Sequence, residues 1–391
     1  MPRSPKLSTS AARIPAGAFG ELAKSIAART DRGGDLIGLH IGDTHVPSGI
    51  LDAGALDPDS MRYGTISGLA ALKERVAERA KRERGISYAT AHRVHIGVGG
   101  THSLFCAARA TLDAGDEVIV LSPYWPLAPG VFASVGAVPV EVSVTQSLYQ
   151  GGGHDLRERL LGAVTERTRA IYFISPNNPD GKVLSEAELR TIAEVAELRD
   201  LWIFADEVYA DFTYTAPHLS MGALSGVEDR TILVYSFSKS HGIAGARVGY
   251  LIAPAEVLQQ IDRISMHTVF NVPVVSQRIA IAAIENESIW GTRAKAAYAS
   301  ARDLTTRMLR DGGLSFFEPE GGTYHFIDVS NVLRGRTLAE LLGRAAEHGV
   351  LLTPGNAFGT YPNHARLCFT AVSEQKLEEG IQRLLAAVNS L

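Results

Sequence analysis

Short apolar runs bounded by turn residues recur along the chain, at 94–98, 117–121, 170–174, 201–205, 231–237 and 248–253. They are too short for helices and are continuous rather than alternating, as expected of parallel strands covered on both faces. Between them the spacing becomes that of helices with one apolar face. Ser185-Glu186-Ala187-Glu188 reads as a capping box opening a helix that puts Leu189, Ile192 and Val195 on one side, and residues 68–84 repeat the spacing with Leu69, Leu72 and Val76. Strand and helix in alternation predict an α/β fold with a mostly parallel sheet flanked by helices. After about residue 280 the pattern changes to a long helical stretch, an apolar run at 323–329, a second capping box at Thr337-Leu338-Ala339-Glu340, a run at 366–370 and a closing amphipathic helix. A smaller α+β C-terminal domain is expected there. The expected division is an N-terminal arm with part of the small domain over 1–45, a large domain over 46–280 and the small domain over 281–391.

Residues that carry chemistry follow directly after the apolar runs. In parallel α/β sheets ligands bind beyond the carboxyl ends of the strands, so this placement matters more than composition. Run 94–98 leads to Gly99-Gly100-Thr101 and a helix expected to begin near Ser103, whose free amides and positive dipole end suit a phosphate. Run 117–121 leads to Tyr124-Trp125, and run 170–174 to Ser175-Pro176-Asn177-Asn178-Pro179-Asp180-Gly181. Run 201–205 leads to Asp206 and Tyr209, and run 231–237 to Ser238 and Lys239. Lys239 stands among hydroxyls in Ser236-Phe237-Ser238-Lys239-Ser240, with Arg247 eight residues on. An amine able to form a Schiff base, set beside hydroxyls and a guanidinium, meets the needs of a phosphorylated carbonyl cofactor. The chain reads as a pyridoxal 5'-phosphate enzyme.

Each motif also has a plainer reading. Gly99-Gly100-Thr101 fits an ordinary turn, and His102 stands where a dinucleotide fingerprint needs its third glycine, which disfavours a nicotinamide enzyme. Asp206 fits a helix cap or turn, while Trp125, Tyr209 and Tyr63 fit core aromatics. Their concentration at strand ends carries the functional reading.

Composition narrows the partners. With 46% hydrophobic and 20% charged residues among 391, the chain can bury a large core, and length suggests about two domains. Thirty-eight basic against 42 acidic residues give a net charge of −4. No basic cluster argues for nucleic acid or an anionic membrane, so small molecules are the expected partners. Cys106 and Cys368 provide neither a disulfide framework nor metal-ligand spacing and are expected in the core, with no metal site. No run approaches the roughly 20 apolar residues of a transmembrane helix, and no secretory signal is visible, so the cytoplasm is the expected location. Residues 1–20 hold Arg3, Lys6 and Arg13 but no acid, and are expected to form a flexible arm.

From about Leu36 to the C-terminus the chain resembles the class I/II aminotransferases, fold-type I pyridoxal-phosphate enzymes of the aspartate aminotransferase kind. The anchors are Asn178-Pro179-x-Gly181, Asp206-x-x-Tyr209, Ser236-x-Ser238-Lys239, Arg247-x-Gly249-Tyr250 and Arg366-Leu367-Cys368-Phe369. The resemblance implies that Lys239 holds the cofactor as a Schiff base and later shuttles the substrate α-proton. It implies that Asp206 pairs with the pyridine nitrogen, that Tyr209 and Asn178 hydrogen-bond the ring oxygen and that Trp125 stacks on the ring. Gly100, Thr101, Ser236, Ser238 and Arg247 would bind the phosphate, reached also by Tyr63 from the second subunit of a homodimer with shared sites. Arg366 would grip the substrate α-carboxylate, helped by Asn178 and the backbone of Gly42.

Three departures stand out. Ile41-Gly42-Asp43-Thr44-His45 replaces the usual Gly-Glu-Pro-Asp sequence, Asp180 replaces a threonine, and Ala246 precedes the arginine where a bulkier residue is common. His45 is expected where substrate side chains are read, or as an exposed loop histidine. The implied reaction is transfer of an amino group between an α-amino acid and a 2-oxo acid. The alternative is a lyase, decarboxylase or cyclase of the same fold, such as a carbon–sulfur lyase.

Overall fold

The computed structural model describes residues 6–9, 11–15, 35–48, 58–150, 153–215 and 217–391. Most of the expected N-terminal arm lies outside the described residues. In chain order the strands are β1 (Ile37–Gly38), β2 (Val94–Gly97), β3 (Glu117–Ser122), β4 (Val138–Ser143), β5 (Thr168–Ile174), β6 (Trp202–Asp206), β7 (Thr231–Ser236) and β8 (Gly249–Ile252). They continue with β9 (Ser315–Phe316), β10 (Tyr324–Asp328), β11 (Val350–Leu351), β12 (Thr353–Pro354) and β13 (His364–Cys368).

The main sheet has the order β2-β8-β7-β6-β5-β3-β4. Strands β3 to β7 run parallel, whereas β8 is antiparallel to both β7 and β2. Two reversals leave β2 parallel to β7, so Gly97 and Ser236 both pair with Gly249. The carboxyl ends of β2, β3, β5, β6 and β7 therefore share one edge.

Every residue of β3 and β7 is buried, which explains their continuous apolar character. Alternate residues serve opposite faces. Ile203 and Leu233 pack with Leu72, Val76, Leu189 and Ile192 on one side. Phe204 and Val234 pack with Leu104, Ala108, Phe132 and Ile261 on the other. Each such side chain contributes about 1.5–3 kcal/mol on burial. The continuous apolar runs do not include β4, an edge strand in which Val138, Val140 and Val142 alternate with Pro139, Glu141 and Ser143 and which leaves most of its side chains at least partly exposed.

Both capping boxes form, with Ser185 and Glu188 opening the helix Glu186–Leu198, and Thr337 and Glu340 opening Leu338–Glu347. Two boundaries differ from expectation. The helix after β2 begins at Gly99 rather than near Ser103, because glycines hide a first turn from any propensity argument. The long stretch after 280 belongs to two helices, Val274–Glu285 and Glu287–Asp311, which part at Asn286. There the Asn286 amide donates to the Ala282 carbonyl, a local bond that competes with helix continuation.

A second core lies beside the main sheet. The order β12-β13-β10-β9 gives an antiparallel sheet, and β1 pairs in parallel with β11. Ile37 and Leu39 pack there with Tyr298, Leu309, Leu341, Leu377 and Leu384. Phe212, from the segment after β6, joins the same cluster and so ties it to the main sheet. Among the described residues no helix is long and apolar enough to cross a membrane, and no His, Cys, Asp or Glu group is placed to hold a metal. Cys106 and Cys368 are buried free thiols.

Candidate active site

The shared carboxyl edge of the main sheet opens into a cavity of about 200 Å³. Its walls include Gly100, Thr101, Trp125, Asn178, Asp206, Tyr209, Ser236, Ser238, Lys239 and Arg247, all expected from the sequence, together with Ile174, Val208 and Ala244. Lys239 sits in a single helical turn, Phe237–Ser240, whose start is fixed by the Ser236 hydroxyl accepting from the Ser238 amide at 3.2 Å. The half-buried lysine donates from Nζ to the Gly42 carbonyl.

One end of the cavity is built for an anion. The amino end of the helix Gly99–Thr111 brings Gly100 and Thr101 beside Ser236 and Ser238. Arg247, held at a positive φ of 54°, donates from Nη1 to the Ala244 carbonyl at 3.0 Å. It has no acidic partner among the described residues. Close backbone packing allows this convergence: a Cβ on Gly249 would fall 2.5 Å from the Gly100 nitrogen.

Farther in lies a carboxyl group. Asp206 is 5% exposed, accepts from Tyr172 Oη at 3.0 Å and from the Val208 amide at 3.3 Å, and has its pKa pushed up to about 7 by burial. No cation among the described residues compensates it. A phosphate-binding end, a central lysine and a buried carboxyl awaiting a cation fit pyridoxal 5'-phosphate, whose phosphate, carbonyl and protonated ring nitrogen match them in kind. Trp125 supplies an aromatic wall, and Ile174 and Val208 supply apolar ones.

Arg366 stands behind Asn178 and is 3% exposed. It donates from Nη1 to Asn178 Oδ1 at 3.0 Å and from Nη2 to the His40 carbonyl at 2.5 Å and Thr353 Oγ1 at 3.3 Å. Its Nε is buried without a partner among the described residues, and no carboxylate pairs with it. The rings of Tyr324 and Phe358 lie 4.3 and 4.8 Å from its guanidinium carbon. Tyr209 lines the cavity, but its hydroxyl lies 2.7 Å from that of Tyr324, and burial raises its pKa well above the usual tyrosine range.

The departures from the family pattern have local accounts. Asp180 is buried and accepts from Thr145 Oγ1 at 2.6 Å, Asn177 Nδ2 at 2.8 Å and the Lys182 amide at 3.1 Å. It orders the loop that presents Asn178, at the cost of a pKa raised by burial. His45 is exposed, faces the Thr370 carbonyl through Nδ1 at 3.1 Å and does not line the cleft around Lys239. Its neighbours Asp43 and Thr44 line a second, very small cavity beyond Lys239, with Tyr298, Thr323 and Thr370. Nothing in the structure accounts for Ala246. Tyr63 is 87% exposed, packs edge-on against Phe270 at 5.2 Å and does not line the cavity of its own chain.

Sequence reasoning missed Tyr172, His40, Thr353 and Phe358. None sits in a motif, and each reaches the site only because distant elements meet.

A lysine-bearing cleft at the carboxyl edge of such a sheet, with an anion site at one end and a buried carboxyl at the other, defines a pyridoxal-phosphate enzyme of fold type I. Within that class the chain belongs to the aminotransferase class I and II family, whose pattern it matches over residues 41–384. It is 33% identical over 359 residues to the aspartate/prephenate aminotransferase of Thermus thermophilus, across 90% of this chain and 91% of that one. It is 32% identical over 365 residues to an arginine–pyruvate transaminase of Pseudomonas aeruginosa, across 91% of each. The fold matches a solved single mutant of Thermus thermophilus aspartate aminotransferase with a TM-score of 0.90 at 30% identity, over 98% of this chain and 100% of that one. Members of the family are transferases that use pyridoxal 5'-phosphate, and this chain is an enzyme of that type.

Proposed function

We propose that the enzyme moves an amino group between an α-amino acid and a 2-oxo acid, with Arg366 as the anchor of the substrate α-carboxylate. The observation that carries this reading is the state of Arg366: a buried guanidinium with an unpaired Nε and no acidic partner among the described residues. An uncompensated buried charge costs several kcal/mol, and a carboxylate arriving from the substrate offsets that cost through charge-assisted hydrogen bonds. Fixing the carboxylate also orients the bond that breaks at the α-carbon.

Lys239 is the proposed catalytic base. Its Nζ would take up the α-proton of the bound substrate, and the Gly42 carbonyl that it contacts keeps the amine in the cleft. When bound, pyridoxal 5'-phosphate supplies an electrophilic carbonyl and an electron-accepting ring. Asp206 would hold a proton on the ring nitrogen, Tyr209 and the Asn178 amide would face the ring oxygen, and Gly100, Thr101, Ser236, Ser238 and Arg247 would bind the phosphate. We assign Tyr63 to the second subunit's site in a cytoplasmic homodimer, because it is exposed beside Met61 and Phe270 rather than in its own cavity.

The test is a half-reaction. Holoenzyme mixed with single amino acids, without an acceptor, should release the matching 2-oxo acid from at least one of them and change the absorbance of the bound cofactor. Added 2-oxo acid should reverse the change. Arg366→Gln should lower kcat/KM for that amino acid on the order of 100-fold. Release of ammonia, a thiol or carbon dioxide without amine transfer would refute the reading.

A further inference from the structure

The phenol of Tyr324 touches three parts of the cleft without lining it. Its hydroxyl lies 2.7 Å from that of Tyr209, and its ring lies 4.3 Å from the Arg366 guanidinium carbon. A Cβ on Gly42, whose carbonyl receives Lys239 Nζ, would fall 1.8 Å from the same hydroxyl. Register explains the contact with the arginine. Tyr324 pairs with Cys368 and Phe326 with Arg366 across β10 and β13, so the tyrosine and the arginine are diagonal neighbours on one face.

The two phenols differ in what else they can reach. Tyr324 is 2% exposed, and Tyr209 is the sole hydrogen-bond partner of its hydroxyl among the described residues. Tyr209 has the cavity as a second outlet. If Tyr209 donated to Tyr324, the buried Tyr324 proton would be left without an acceptor, the costly arrangement for a hydroxyl away from water. The favoured arrangement has Tyr324 donating to Tyr209, which turns the Tyr209 proton into the cavity.

We propose that Tyr324 is a positioning residue: it aims the Tyr209 hydroxyl proton at the ring oxygen of the cofactor while its ring seats the Arg366 guanidinium. The idea rests on the proposed roles of Tyr209 and Arg366. It makes one buried side chain the link between carboxylate recognition and the electronics of the ring.

Conservative variants separate the two contacts. Tyr324→Phe keeps the ring under Arg366 and removes the donor. With that donor gone, the pH midpoint of the cofactor absorbance should rise and kcat should fall roughly tenfold, while the affinity for a non-reactive carboxylate such as propionate stays within about twofold. Tyr324→Leu removes both contacts and should also weaken propionate binding, by about fivefold or more. A Tyr324→Phe holoenzyme with the wild-type midpoint overturns the proposal, whatever its turnover. So does one whose propionate affinity falls as far as that of Tyr324→Leu, since the hydroxyl rather than the ring would then be seating the guanidinium. Two controls isolate the underlying reading. If Tyr209→Phe leaves the midpoint unchanged, or Arg366→Gln leaves propionate binding unchanged, the assigned roles of those residues fail first.

Discussion

Burial decides the chemistry of single residues in this cleft. Burial pushes the Asp206 pKa up to about 7 from the ordinary aspartate value of about 4, so between about pH 4 and pH 7 the folded, cofactor-free protein keeps a proton that the unfolded chain releases. Stability must then fall as pH rises through that window, by at most about 4 kcal/mol for this group. Asp206→Asn removes the titration. In urea unfolding of cofactor-free protein, the stability of the wild type relative to the variant should decrease from about pH 5 to pH 7, and a pH-independent difference would sink the assignment. The same carboxyl was legible in the sequence as a polar residue ending an apolar strand. Its partner Tyr172 was not, because an inward tyrosine in β5 looks like any other core aromatic until β5 and β6 are laid side by side. Arg366 was legible only through the late Arg-Leu-Cys-Phe motif, and its lack of an acidic partner required the packed structure.

At the scale of elements, the phosphate end depends on how closely β8 approaches the glycine turn after β2. Gly249 pairs with both Gly97 and Ser236, and a side chain there would meet the Gly100 nitrogen at 2.5 Å and the Tyr235 carbonyl at 2.8 Å. Both obstacles are backbone, so neither can swing aside. Gly249→Ala should push the turn away from the helix dipole and weaken cofactor binding by about tenfold or more, equivalent to roughly 1–3 kcal/mol of overpacking. Equilibrium dialysis of the cofactor would detect this, and an unchanged affinity would show that the turn accommodates the methyl group. The capping boxes and the fully buried strands could be read from local pattern because each is a local interaction. The exposed edge strand β4 forms no continuous apolar run, because Val138, Val140 and Val142 alternate with Pro139, Glu141 and Ser143, and the glycines in the first turn of the helix at Gly99 carry no helical period.

For the whole molecule, the proposed unit is larger than one chain. Mixing inactive Tyr63→Ala and Lys239→Ala proteins should restore activity in hybrids if Tyr63 completes the second subunit's site, each hybrid then having one site with both residues intact. No recovery, with subunit exchange demonstrated by mass, would place Tyr63 outside the mechanism. The apolar runs and helical periods by themselves determined that a mostly parallel sheet would form, because burial of continuous apolar strands leaves few alternatives. The residues after those runs determined which side chains would share its carboxyl edge, and ten of them line one cavity. Only the tertiary structure decided how segments far apart in sequence complete that cavity. The His40 and Gly42 carbonyls receive Arg366 and Lys239, while Tyr324 joins Tyr209 to the arginine. These contacts depend on where the small sheet docks, and backbone carbonyls and buried phenols carry no motif that records it.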